Sequence, residues 1–260
     1  MPETSVLASV LRHDRAIVIG GLVGVVALSW LYLVWHTSMD MQAVSDMAMP
    51  MAPMQWSFGY FALIVTMWVV MMAAMMLPSA TPVILLYASI TRRRRQQGTA
   101  APAAGLFALG YVVVWATFGI LAATLQWGLD QALLLSPLMA TTSVAIAGLV
   151  LVAAGLYQWT PLKQACLRQC RSPVDFLLVH WRAGRRGALA MGIRHGLFCL
   201  GCCWLLMLLL FVGGVMNLLW IAGLTLFVLI EKTAPGGRWV GRAAGAVLVA
   251  WGGATLLSLA

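Results

Sequence analysis

From residue 16 to the C-terminal end, the chain is a succession of apolar runs of about 20 residues, each long enough to cross the hydrocarbon core of a bilayer. They fall at 16–36, 58–77, 103–125, 138–159, 189–212, 214–230 and 240–259. In lipid every backbone polar group must be paired internally, so such runs fold as helices. Alternating short strands, the mark of a membrane barrel, are not seen. Only 9% of the 260 residues are charged, far too few to cover a water-soluble globule. The expected fold is therefore all-α: one polytopic transmembrane domain over 1–260 with about seven transmembrane helices. The second run continues past Pro78 and Pro82 to Ile90, which predicts a kink and a tilted or interfacial continuation.

The basic residues set the expected orientation. All 16 Lys and Arg fall in four groups: Arg12 and Arg15, Arg92 to Arg95, Lys163 to Arg194, and Lys232 to Arg242. Counting spans alternately from an inside N-terminus places all four groups on one side and leaves the opposite loops without a basic residue. By the positive-inside rule this predicts N-terminus inside and C-terminus outside, with a basic inner loop at 161–188. The net charge of +9 thus reads as a topology signal and not as a nucleic-acid-binding face. The bilayer is the expected partner.

Two concentrations of soft donors stand out. Eleven of the 16 methionines lie between Met39 and Met76. Six of these fall in an outer loop at 37–57 (Met39, Met41, Met47, Met49, Met51 and Met54) and five in the second span. Thioether sulfur is soft and neutral, which suits Cu(I). Packing explains six thioethers in an aqueous loop poorly, so soft-metal capture is expected there, with an amphipathic segment lying on the membrane surface as the alternative. Within the span, Met67, Met71 and Met75 recur every fourth residue and line one helical stripe, which serves packing as well as it serves a metal path.

The second concentration is MGIRHGLFCLGCC, residues 191–203. At about 100° per residue, His195, Cys199 and Cys202 share one narrow helical face. One imidazole and two thiols make a ligand set for Cu(I), with Zn(II) as the alternative. Cys203 points to another side, where a neighbouring helix can meet it. Cys166 and Cys170 form a further pair on one face, either as additional ligands or as a redox couple. By the charge argument these cysteines lie toward the inside, where thiols stay reduced. The bland alternative is that the cysteines are small core hydrophobes. Glu231 and Lys232 read as a mutually paired, snorkelling couple.

The stretches MWVVMMAAMMLPSATP at 67–82, GLYQWTPLKQACLRQCRSP at 155–173 and MGIRHGLFCLGCCWLLMLLLFVGGVMNLLW at 191–220 resemble the bacterial predicted metal-binding integral membrane protein family, catalogued as a domain of unknown function. That resemblance runs from about Gly59 to Gly237. It implies metal binding in a bacterial membrane, here the inner one, but no reaction. The leading expectation is a copper-handling membrane protein that moves Cu(I) or delivers it to a partner cuproenzyme or copper chaperone. The alternatives are a membrane-embedded metalloenzyme or redox subunit using the same site, and a structural subunit of a larger complex.

Overall fold

The computed structural model describes residues 18–35, 37, 56–98, 102–136 and 139–259. They form ten helices: α1 (Val18–Trp35), α2 (Phe58–Gln96), α3 (Ala104–Gln131), α4 (Val144–Tyr157), α5 (Pro161–Arg171), α6 (Pro173–His180), α7 (Gly184–Leu208), α8 (Leu210–Gly213), α9 (Leu218–Thr233) and α10 (Gly237–Leu257). There is no β-strand among the described residues, as the apolar pattern requires. The outer methionine loop, Met39 to Met54, lies outside the described residues, as do Arg12 and Arg15.

Among the described residues five helical stretches are long and apolar enough to cross a membrane: α1, α2, α3, the α7–α8 run and α10. The α4–α5 pair makes a sixth if its 65° bend is counted as one broken span. The remaining expected run, the sixth at 214–230, is α9. With 16 residues it extends about 24 Å, less than the roughly 30 Å core. Its start is set by Asn217, whose side chain accepts from Trp220 N at 3.2 Å.

Helix α2 is one continuous helix of 39 residues that contains both prolines, so the expected continuation to Ile90 belongs to the same helix. Ser79 and Thr81 donate back to the carbonyls of Met76 and Leu77 at 2.9 and 3.0 Å, which pairs their hydroxyls inside the helix. Its last turn carries Arg93 to Arg95, and the Arg94 guanidinium lies 4.5 Å over the Trp181 ring. The segment expected as a basic loop at 161–188 is largely helical. Thr160 caps α5 by accepting from Lys163 N at 3.3 Å, and prolines open both α5 and α6.

The core is the contact of α2, α3 and α7. Helices α2 and α3 run antiparallel, tied by Trp68 Nε1 to Gln126 Oε1 at 2.7 Å and by Tyr111 O–H to the Met76 carbonyl at 3.0 Å. Helices α3 and α7 run parallel and touch backbone to backbone. A Cβ on Gly192 would stand 2.0 Å from the Phe107 carbonyl oxygen, so only glycine permits that approach. Around this core α5 and α9 pack on α7, while α4 pairs with α10.

Candidate metal centre

The helical face read from the sequence points inward. His195, Cys199, Cys202 and Cys203 are all buried in α7. The Cys202 and Cys203 thiols both turn back toward the Cys199 carbonyl, at 3.1 and 2.9 Å. Side chains from other helices meet them. From α5, Cys170 lies near Cys199 and Cys202. From α2, Met76 Sδ stands 4.0 Å from Cys203 Sγ. From α3, the Tyr111 hydroxyl is 3.0 Å from Cys199 Sγ. Four thiols and one thioether therefore gather where α2, α3, α5 and α7 converge.

His195 lies one turn before Cys199, 2% exposed, in a box of aromatic rings. Phe176, Tyr111 and Phe107 surround it, with ring centroids 4.9, 5.8 and 6.1 Å away. Its Nδ1 is buried and has no hydrogen-bond partner among the described residues. A buried imidazole nitrogen without a partner carries a desolvation penalty that a ligand can relieve.

The other expected donors are placed differently. Cys166 Sγ packs on the α7 backbone, where a methyl on Gly201 would come within 2.7 Å of the sulfur. Met67, Met71 and Met75 are fully buried in α2. The methionine of that helix whose sulfur reaches a thiol is Met76, which the every-fourth-residue stripe passes over.

Lys232 and Glu231 correct the expectation of a snorkelling pair. Consecutive residues on a helix diverge by about 100°, and these two reach different helices. Glu231 accepts from Lys163 of α5, with Nζ at 2.9 Å from each carboxylate oxygen and both side chains fully buried. Lys232 donates to Cys199 Sγ at 2.8 Å and to Ser79 Oγ at 3.3 Å. Arg171, next to Cys170, donates to the carbonyls of Glu231 and Ala234 at 2.5 and 2.7 Å and so caps the end of α9. Helix α5 is thus tied to α9 at both ends while it presents Cys170 to α7.

As they stand, no three of the described His, Cys, Asp and Glu side chains are disposed to hold a metal ion. The Cys202 and Cys203 thiols are instead directed at the Cys199 carbonyl. The donor chemistry nonetheless fits a soft ion: thiols first, then a thioether, then an imidazole.

Comparison with known proteins agrees with that chemistry. No curated protein and no solved structure matches the chain. A family model described as PpoB2, a copper chaperone, matches residues 65–255. The matched region holds both cysteine stretches and the methionine helix from Met67 onward. It supports a copper-related family, under a different name from the one the sequence strings had suggested. The chain belongs to the PpoB2 copper chaperone family.

Proposed function

We propose that the protein is a membrane-embedded Cu(I) carrier that collects the ion at its outer methionines and delivers it to a partner cuproenzyme. The observation that carries this reading is the convergence of Cys170, Cys199, Cys202, Cys203 and Met76 inside the bundle. Cu(I) is the cargo in this reading and not a resident cofactor. Cys199 and Cys202 are its principal ligands. His195 supplies a neutral donor from one turn away, and Cys170, Cys203 or Cys166 exchange with them as the ion moves on. Met67, Met71 and Met75 line the approach from the outer side. Thiolates hold Cu(I) more tightly than thioethers, so a path from methionine to cysteine runs downhill in free energy. In a bacterial cell the host membrane would be the inner one, with the basic ends of the helices in the cytoplasm.

The test is Cu(I) binding by the purified chain in detergent, under reducing anaerobic conditions, in competition with a chromophoric Cu(I) chelator. The wild type is expected to withdraw one Cu(I) per chain. The Cys199→Ala/Cys202→Ala variant is expected to withdraw none while keeping its helical content. Equal uptake by both proteins would remove the thiol cluster from the function.

A further inference from the structure

Among the described residues Lys232 has no acidic partner. The residue is 5% exposed, and its ammonium group rests on Ser79 Oγ and Cys199 Sγ. The acidic side chains among the described residues are engaged elsewhere: Glu231 with Lys163, Asp130 with Trp56 and Asp175 with Ser172. An ammonium group held inside an apolar bundle needs an anion to offset it. Of the groups beside Lys232, the thiols of the candidate metal centre become anionic more readily than the Tyr111 hydroxyl that touches Cys199.

That placement fixes the charge balance of any ion the thiols bind. Two thiolates holding one Cu(I) carry a net charge of minus one, which the Lys232 ammonium cancels. Two thiolates holding a divalent ion such as Zn(II) are already neutral, and Lys232 then leaves the site with a surplus positive charge. Neutral donors such as Met76 and His195 do not alter this count. A third thiolate would restore neutrality around a divalent ion, but it would have to form beside the two already in the cluster, against their repulsion. A surplus charge is far more costly in a buried site than in water.

We propose that Lys232 is the specificity-determining residue of the metal centre, selecting a monovalent soft ion over a divalent one by completing a neutral site. The assignment rests on the reading of Cu(I) as cargo of the thiol cluster. It gives a role to a lysine that the ligand set alone does not require, and it separates Cu(I) from Zn(II), which thiol and imidazole ligands by themselves accept alike.

The experiment measures Cu(I) and Zn(II) affinities of the full chain in detergent, each by competition with a chromophoric chelator of that ion. Wild type, Lys232→Met, Lys232→Gln and Lys232→Arg are compared. The ratio of Cu(I) to Zn(II) affinity is expected to fall about tenfold or more in Lys232→Met and Lys232→Gln. In Lys232→Arg, which keeps the charge, it should stay near wild type. A lysine needed only for packing would weaken both ions together, so affinities that move in step overturn the assignment, as does a ratio that stays constant. If the wild type binds Cu(I) no better than Cys199→Ala/Cys202→Ala, the copper reading falls and this assignment with it. Wild-type binding that needs both thiols, with a ratio insensitive to Lys232, removes the assignment alone.

Discussion

Lys163 and Glu231 form an ion pair shut away from water between α5 and α9. Removing one partner of a buried pair leaves the other charge uncompensated, which costs about 3–5 kcal/mol. Lys163→Met and Glu231→Gln should each lower the unfolding free energy in detergent by about that amount. The double variant Lys163→Met/Glu231→Met should recover much of the loss, as denaturant titration followed by circular dichroism would read. At this scale the sequence was partly legible. Helix geometry relates residues three apart and so sets Cys199 and Cys202 on one face, and both are buried on α7. The contacts of Tyr111 and Lys232 with Cys199 could not be read, since they span 88 and 33 residues and depend on how separate helices dock. One signal was present: a charge pair at adjacent positions cannot share a helical face, which already argued against Glu231 and Lys232 pairing with each other.

Among the elements, the contact of α3 with α7 depends on glycine at two facing positions. A Cβ on Gly110 would fall 2.4 Å from the Leu189 carbonyl oxygen, closer than atoms can approach without moving backbone. Gly110→Ala should therefore push the two helices apart, lower the thermal midpoint and displace Tyr111, the next residue, from Cys199. Gly105→Ala, one helical turn and a half earlier on α3 where no heavy atom lies within 4 Å, should be neutral or slightly stabilising. A thermal shift assay in detergent separates the two. The long helices were readable because bilayer thickness sets the length of an apolar run. Helices α5 and α6 were not, because they are short, and the charged face of α5 looks like a loop in any count of hydropathy. The residues that precede them, Thr160 before Pro161 and Ser172 before Pro173, were the available signal. The presence of Cys170 at the centre follows from the 65° bend that turns α5 back onto α7, and composition does not encode that bend.

For the whole molecule, the helix directions agree with alternating passage through a bilayer. The neighbours α2 and α3 are antiparallel, as are α4 and α10, whereas α3 and α7, two spans apart, are parallel. Reporter fusions after Gln97 and after Gln131, at opposite ends of α3, are therefore expected to report opposite compartments, with Gln97 in the cytoplasm. Signals from one compartment at both positions would refute that topology. The parallel pairing of α3 with α7 also bears on the order in which the protein is made. The partner of α3 is synthesised only after α4, α5 and α6 have been laid down, and the last described helix, α10, is the one that closes on α4. Contacts between such distant segments form late. While the chain is being threaded into the membrane, the cysteines of α7 thus arrive before Lys232 of α9, and they meet α2 and α3 already in place. A nascent chain stalled before α9 would hold its thiols together with no ammonium group beside them, so a fully threaded protein and a truncated one should differ in which ion they pick up first.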